Sequence, residues 1–163
     1  MRKLTTIMAS GLLALYCASA MSATMSALTS MDTQTARAVN TPYPITLTSK
    51  ALASFKVEGT KITVLRSGEF YVNAAAQIGG SGPGEVYLWM RLNDKDVPDS
   101  NSTQTVSAAK FTAVMVSQTG MSFKKGDVLE FVYAATSPGL GLMASKPANM
   151  PGVPSIIVSI LEM

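Results

Sequence analysis

The stretch that decides the fold is EVYLWMRLNDKDVPDS, at residues 85–100. Its first half alternates, with Val86, Leu88, Met90 and Leu92 on one side and Glu85, Tyr87, Trp89 and Arg91 on the other. A period of two with one apolar face is typical of a half-buried β-strand. In the second half Asn93-Asp94 tolerates positive φ, and Pro98 cannot continue a central strand. We therefore predict a strand whose mixed face carries the only Trp of the chain, followed by an acidic hairpin.

The composition is that of one ordinary globular domain. The chain has 163 residues, which is enough to bury a substantial core. Its hydrophobic content of 47% and charged content of 14% argue against disorder and against a partner that is a nucleic acid.

Residues 1–23 have the pattern of a signal peptide. A basic start, Met1-Arg2-Lys3, precedes an apolar run over 7–20, and Ala18-Ser19-Ala20 and Met21-Ser22-Ala23 are both small-x-small cleavage sites. An uncleaved anchor is the alternative, but the run is shorter than the roughly 20 apolar residues of a membrane span. We expect a protein that is secreted, extracellular or at the cell surface, with no membrane span after cleavage.

Loss of the leader changes the charge and the cysteine content. Removing Arg2 and Lys3 lowers the 13 basic residues to 11, against 10 acidic ones, so the mature protein is nearly neutral. The only cysteine, Cys17, is also lost, and Tyr16 before it is too bulky for lipoprotein processing. Stability must then come from packing and oligomerisation rather than from disulfides.

The rest of the chain divides into a predicted flexible spacer at 24–41, which is rich in Ser, Thr, Ala and Met, and a β-domain at 42–163. Within the domain we expect strands near 45–48, 55–57, 61–65, 69–78, 85–92, 111–118, 128–135, 140–144 and 155–161, with a turn at Thr119-Gly120. About eight to ten short strands without a helix predict an all-β fold, an antiparallel sandwich or jelly roll.

Four motifs together resemble the C1q/TNF-like jelly-roll superfamily. They are Gly68-Glu69-Phe70-Tyr71-Val72, Lys125-Gly126-Asp127-Val128-Leu129, the segment with Trp89, Arg91, Asn93, Asp96, Val97, Pro98 and Ser100, and Pro151-Gly152-Val153-Pro154-Ser155-Ile156. The third and fourth are most similar to short bacterial and phage C1q-like domains, with Asp94 in place of their usual Gly. The resemblance covers residues 42–163, and it implies a homotrimer packed along a central axis with a role in recognition or adhesion.

Strands with apolar residues on both faces fit that assembly, because a two-layer sandwich buries only one face of each strand. The residues we expect at the trimer interface are Tyr71, Phe131, Tyr133 and Ile157, and Leu161 lies on a face of the same kind. The alternative is a monomer whose loops cover that face.

Catalysis is not expected, and no catalytic residue is assigned. Without His, and with its only Cys in the leader, the mature chain lacks the usual base and thiol nucleophile. The carboxylate pairs Asp94/Asp96 and Glu69/Glu85 remain, but their spacing does not indicate a cleft of the glycosidase type.

Two weaker site predictions come from residues 85–101. Asp94, Asp96 and Asp99 supply oxygen ligands for a calcium ion, although Lys95 among them favours a plain polar hairpin. No other cofactor is expected. Tyr87, Trp89 and Arg91 could form an exposed patch that binds a glycan or a protein. The alternative, which we favour, is that Trp89 packs under a loop or against a second subunit.

The function that we expect is a secreted, non-enzymatic, trimeric recognition or adhesion module for a surface glycan or protein. The alternative is a structural subunit of an extracellular fibre, a matrix or a virion appendage.

Overall fold

The computed structural model describes residues 25–48, 52, 54–110 and 112–163. The predicted signal peptide, at 1–23, lies outside these residues. Over the described part the chain forms two antiparallel sheets and no helix, so the predicted all-β jelly-roll sandwich is confirmed. No helix in this part has the length and apolar character that would carry it across a membrane.

Sheet A is built around one long central strand. Its strands are β1 (Met25–Ser30), β2 (Gln34–Thr35), β6 (Gly68–Gly80), β10 (Thr112–Phe123), β12 (Leu140–Leu142) and β13 (Ile156–Glu162). One edge of β6 pairs with β10 along its length, and the other edge pairs with β13 and then with β12. β1 adds to β13, and β2 adds to β12.

Sheet B is centred on two neighbouring strands. Its strands are β3 (Tyr43–Pro44), β4 (Phe55–Glu58), β5 (Lys61–Val64), β7 (Gly84–Leu92), β8 (Lys95–Asp96), β9 (Ser102–Val106) and β11 (Val128–Ala135). β11 pairs with β7 on one edge and with β3 and β5 on the other. β8 and β9 cover most of the second edge of β7, so both central strands have neighbours on each edge.

The core lies between the inner faces of the two sheets. Phe70, Val72, Ala74, Ala76 and Ile78 of β6 point inward, as their alternation predicts. From sheet B come Val86, Leu88 and Met90 of β7, all of them fully buried. Three rings join the layers at one end, since Phe70 lies 5.5 Å from Phe55 and 5.3 Å from Phe123 between ring centroids.

The prediction that residues 24–41 form a flexible spacer is wrong. Residues 25–30 are strand β1, paired in full with β13, and residues 34–35 are strand β2. Leu28 is 0% exposed and Ala36 2%. The segment was misjudged because its small polar residues form an edge strand with few large apolar side chains, which a period-based search does not detect.

Three other boundaries differ from the sequence-based expectation. The turn predicted at Thr119-Gly120 does not exist, because β10 continues to Phe123 and pairs with β6 at Thr119↔Val72 and Gly120↔Tyr71. A strand that the sequence did not reveal, β9, follows the hairpin, and its only fully buried residue is Val106. The strand expected at 45–48 is instead the two-residue β3 at Tyr43–Pro44. The described residues contain 13 strands, several of them very short.

Candidate functional site

The mixed face of β7 points away from the core, toward the outer side of sheet B. Tyr87, Trp89 and Arg91 are all half-buried there, while the alternate residues of the strand are buried inside. The strand therefore has the two faces that its alternation predicts, and it presents the three expected binding residues side by side.

The hairpin after β7 brings an acid onto this face. Asn93 and Asp94 adopt φ of 50° and 63°, as the turn chemistry predicts, and the returning strand places Asp96 opposite Arg91. The carboxylate oxygen Oδ1 of Asp96 accepts a hydrogen bond from Trp89 Nε1 at 2.8 Å and one from Arg91 Nε at 3.0 Å. The bond from Trp89, together with that from Arg91, holds the pKa of Asp96 below its usual value.

A groove of about 330 Å³ opens beside this cluster, and we call it the Trp89 groove. It is lined by Asn40, Pro42, Tyr87, Trp89, Asp96, Val97, Asn101 and Ala134. Trp89 thus lies half-buried next to the loop at 40–42 and the hairpin. Of its two expected partners in the patch, Tyr87 lines the groove, whereas Arg91 does not and is bonded to the lining residue Asp96.

Two sides of the groove come from segments that sequence reasoning missed. The loop with Asn40 and Pro42 belongs to, or directly follows, the supposed spacer, and the backbone N–H of Asn40 is anchored on the carbonyl of Ala135 at 2.7 Å. Asn40 has a φ of 50°, which Asn tolerates better than most residues. The Asn40-Thr41-Pro42 sequence was the available signal for a fixed turn at this point.

The predicted calcium ligands are not assembled into a site. No group of three or more carboxylate, imidazole or thiol side chains in the described chain is placed to hold a metal ion. Asp94 and Asp99 sit in turns with φ of 63° and 58°, and Asp96 is engaged by Trp89 and Arg91.

The second carboxylate pair considered from the sequence is also separated. Glu69 is on β6 of sheet A, and Glu85 is on β7 of sheet B, so the two strands lie in opposite layers. Glu69 accepts a hydrogen bond from Ser122, and Glu85 accepts one from the hydroxyl of Tyr87 at 2.7 Å. Both carboxylates thus have local partners, and they do not share a cleft.

The outer side of sheet A is a second candidate surface, and we call it the sheet A outer face. Its positions are Met25, Ala27 and Thr29 of β1, Ile157, Ser159 and Leu161 of β13, Tyr71, Asn73, Ala75 and Gln77 of β6, and Thr112, Val114, Val116, Gln118 and Gly120 of β10. The register aligns them in rows across the four strands, for example Thr29, Ile157, Ala75 and Val116. None of these residues is charged, and the charged residue that shares the outward alternation of β6, Glu69, lies beyond them at the end of the strand, where it accepts a hydrogen bond from Ser122.

Apolar side chains on this face are unusually open to solvent. The exposed fraction is 65% for Val114, 42% for Val116 and 44% for Ile157. In the adjacent row the side-chain oxygen Oδ1 of Asn73 is buried and has no hydrogen-bond partner among the described residues. Tyr71, by contrast, donates its hydroxyl hydrogen bond to Gln118 Oε1 at 2.7 Å.

Of the four predicted interface residues, two are on this face and two are not. Tyr71 and Ile157 point outward from sheet A. The placement of Phe131 and Tyr133 on an outer face is wrong, because β11 belongs to sheet B and directs them into the core, where they are 1% and 3% exposed. Every residue of β11 after Val128 is buried, including Glu130 on the outer side, where its carboxylate accepts a hydrogen bond from Thr60 at 2.7 Å, and the burial comes from the chain's own flanking strands and loops.

Comparison with known proteins identifies the fold of this chain but does not assign it to a protein family. No protein-family profile and no curated protein matches the chain. Among solved structures, murine APRIL at pH 5.0 superposes with a TM-score of 0.62 and 7% identity, over 87% of this chain and 100% of that one. Murine APRIL at pH 8.5 gives 0.55 and 8%, over 86% and 100%.

These neighbours have TNF-family jelly rolls. At such low identity they establish the fold alone, and the closer likeness to bacterial and phage C1q-like domains stays a prediction. The chain is a TNF-like antiparallel jelly roll.

Proposed function

We propose that this protein is an exported, non-enzymatic recognition module that works as a homotrimer. In the proposed assembly the sheet A outer face packs against neighbouring subunits around the axis. Sheet B then faces outward and carries the Trp89 groove toward the ligand.

The observation that carries this proposal is the uncharged sheet A outer face. Charged residues are depleted at the centre of protein interfaces, and a contiguous apolar patch on a soluble protein marks an interaction site. Here Val114 and Val116 of β10 and Ile157 of β13 are exposed on the two sides of β6, with Ala75 between Val116 and Ile157 and no charge among their direct neighbours on that face. Covering them with a second copy removes apolar area from water, at about 25 cal/mol for each Å².

Asn73 adds a polar argument for the same surface. A buried acceptor without a partner costs about 1–3 kcal/mol, and native structures leave few of them. The unpaired Oδ1 of Asn73 lies in the middle of the face, beside Ser159 and Gln118 in the register. Because the residue as a whole is only half-buried, a turn of its side chain in the assembly would bring this oxygen to a donor of a neighbouring subunit.

We take the number of subunits from the superfamily that the sequence resembles. We take the contact surface from the residues that lie on the sheet A outer face. The superfamily that the sequence resembles assembles as homotrimers around a central axis, whereas the residues now assigned to the contact include Tyr71 and Ile157 but neither Phe131 nor Tyr133. The non-enzymatic character is supported by the composition, because the mature chain has no histidine and no thiol.

The test is the mass of the purified mature protein in solution, by sedimentation velocity and mass photometry at several concentrations. We expect one species with three times the mass of the mature chain. A stable monomer at micromolar concentration would contradict the proposal, and open-ended polymers would support the structural-subunit alternative. The intact mass of the chain tests export in the same sample, since cleavage after Ala20 or Ala23 gives two distinct masses.

A further inference from the structure

The Trp89 groove holds three hydrogen-bonding groups that the fold does not use. All the bonds to Asp96 go to Oδ1, so Oδ2 has no partner within the described chain. The side-chain amides of Asn40 and Asn101, on other sides of the groove, likewise make no hydrogen bond to described residues. An amide supplies both donors and an acceptor, and a carboxylate supplies acceptors only. A ligand with many groups that both donate and accept would match this set.

The groove has little net charge. Asp96 is its only charged lining residue, and the guanidinium of Arg91 lies 3.0 Å from its carboxylate. An anionic ligand would meet the carboxylate, while a cationic one would compete with Arg91 for it. The charge balance therefore favours a neutral ligand.

The apolar part of the lining consists of rings and small side chains. Tyr87, Trp89, Pro42, Val97 and Ala134 lie between the polar groups. The indole is held in one orientation, because its Nε1–H is donated to Asp96 at 2.8 Å. Such a preorganised aromatic surface can cover the C–H face of a pyranose ring without loss of side-chain entropy on binding.

A peptide fits this surface less well. Extended peptides commonly bind by adding a strand to an open sheet edge. The groove lies over β7 and β11, which pair with each other, and their other edges are occupied over most of their length by β8, β9, β3 and the loop bond from Asn40 to Ala135, so this part of sheet B offers only short stretches of unpaired backbone. Its volume of about 330 Å³ is at the small end of the range for small-molecule sites.

We propose that the Trp89 groove binds a neutral, hydroxyl-rich carbohydrate, with one sugar ring against Trp89 and its hydroxyl groups bonded to Asp96, Asn40 and Asn101. This inference rests on the proposed recognition function, for which it names the ligand class.

Trp89 is the only Trp of the chain, so its fluorescence reports directly on the groove. The mature protein is titrated with neutral hexasaccharides of glucose, mannose, xylose and N-acetylglucosamine, and with an oligogalacturonate as the anionic comparison. We expect a saturable change of emission with at least one neutral sugar, with a Kd below about 1 mM, and at least tenfold weaker binding of the oligogalacturonate. No change with any neutral sugar up to ~10 mM, or equal binding of the anionic one, would overturn the proposal.

Variants at other lining residues show where the sugar binds and keep Trp89 as the fluorescent reporter. Asn101→Ala deletes an amide that the fold does not use, and we expect about fivefold weaker affinity, the worth of one neutral hydrogen bond. Asn40→Gly keeps the positive φ of the loop and should have a similar effect. Thr105→Ala, an exposed change on β9 outside the groove, is the matched control and should bind like the wild type. Unchanged affinity in both Asn variants would assign the binding elsewhere and refute the site.

The oligomeric state, measured in the same samples, separates the two proposals. A trimer that binds no neutral sugar refutes the ligand class and leaves the assembly standing. A monomer that binds one through Asn101 refutes the assembly and keeps the groove as a sugar site.

Discussion

Ser100 and Ser102 are two residues apart, and their hydroxyl groups have opposite roles in the fold. Ser100 is 2% exposed, and its Oγ accepts the backbone N–H of Met90 at 3.0 Å and donates to the carbonyl of Val97 at 2.8 Å. The hydroxyl oxygen of Ser102 is also buried, but it has no partner among the described residues. The two hydrogen bonds of Ser100 give a structural reason for a serine at the end of the motif that runs from Trp89 to Ser100.

We therefore expect Ser100→Ala to lower the free energy of unfolding by about 1–3 kcal/mol, because the buried N–H of Met90 loses its acceptor. Ser102→Ala should be neutral or slightly stabilising, since it removes a buried group that makes no bond. Urea denaturation of both variants checks this pair. Equal destabilisation by the two changes would show that side-chain volume, and not hydrogen bonding, matters at these positions.

Tyr133, placed in the core by the structure, gives the fold a dependence on alkaline pH. Burial raises the pKa of Tyr133 to about 12, with a further contribution from Tyr43, whereas the ordinary value is 10.0. The folded state therefore keeps the phenol proton at a pH where the unfolded chain releases it. The stability from this group is complete below about pH 10 and is lost as the pH rises toward 12.

Tyr133→Phe keeps the buried ring and removes the titrating group, so the variant should lose less stability than the wild type between pH 9 and pH 11. Urea midpoints across that interval measure the difference. Parallel curves for Tyr133→Phe and the wild type would contradict the assignment.

At the scale of elements, one side-chain clamp joins the hairpin after β7 to the turn before β11. Asn93 donates from Nδ2 to Asp127 Oδ1 at 2.9 Å and accepts the N–H of Val128 at 2.9 Å. Asp127 Oδ2 accepts the backbone N–H of Lys124 at 2.7 Å. The bond from Asn93, followed by that from Lys124, lowers the pKa of Asp127.

Because the folded pKa is depressed, the clamp contributes stability above the ordinary value of 3.8, and that contribution is lost as the pH falls through and below it. Asp127→Asn should be less stable than the wild type at pH 6, and the gap should narrow by pH 3. Asp32→Asn, at an exposed carboxylate without a hydrogen bond in the described chain, is the control. A gap that is constant with pH would show that the charge of Asp127 is irrelevant.

The fold could be predicted from the sequence where local patterns and tertiary pairing agree. β6 and β7 alternate clearly, and the Asn93-Asp94 and Gly59 turns have the conformations that their residues favour. β1 and β9 were missed because their side chains are short and polar, and only pairing with β13 and β7 makes them strands. Phe131 and Tyr133 were misplaced because Val132 and Ala134 make the opposite face of β11 mostly apolar too, although Glu130 on that face marks it as the outer one.

The candidate site could be predicted only in the part that lies on one strand. Tyr87, Trp89 and Arg91 share a face through a local period of two. Asn40, Pro42 and Asn101 reach the same groove from distant segments, and no local pattern reports such an approach.

The correction at residues 25–30 has a measurable consequence. Leu28 of β1 is fully buried in the core, so Leu28→Ala should lower the free energy of unfolding by about 2–5 kcal/mol. Met25→Ala, at a side chain that is 68% exposed on the same strand, should cost much less in the monomeric fold. Chemical denaturation of the mature protein is the measurement. No loss of stability in Leu28→Ala would restore the interpretation of this segment as a spacer.

At the scale of the whole molecule, the two sheets have different outer surfaces. The outer side of sheet B has charged and hydrogen-bonded groups around Arg91 and Asp96, and it suits contact with water and small ligands. Among the described outward positions of its four strands, the outer side of sheet A has a charge only at Glu69, at one end of β6, and large apolar side chains are exposed on it. This difference sets the orientation of each subunit in the proposed trimer, with sheet A toward the axis and sheet B toward the ligand.

Introducing a charge on the outer side of sheet A or of sheet B tests this orientation. Asn73→Asp introduces a carboxylate at a buried, unpaired position in the centre of the sheet A outer face. In a trimer the three copies would bring three such charges near the axis, and an unpaired buried charge is far more costly than an unpaired amide. We expect dissociation to monomers that keep the β-sheet circular dichroism spectrum.

Thr105→Glu adds the same charge at an exposed position of β9 on the outer side of sheet B and should leave the trimer intact. Val116→Lys, at an exposed position of the face that needs no change in the monomer core, should dissociate the trimer in the same way as Asn73→Asp. Sedimentation velocity of the three variants at equal concentration is the measurement. If Thr105→Glu dissociates the assembly while Asn73→Asp and Val116→Lys remain trimeric, the subunits meet through sheet B, and the orientation proposed for the molecule must be reversed.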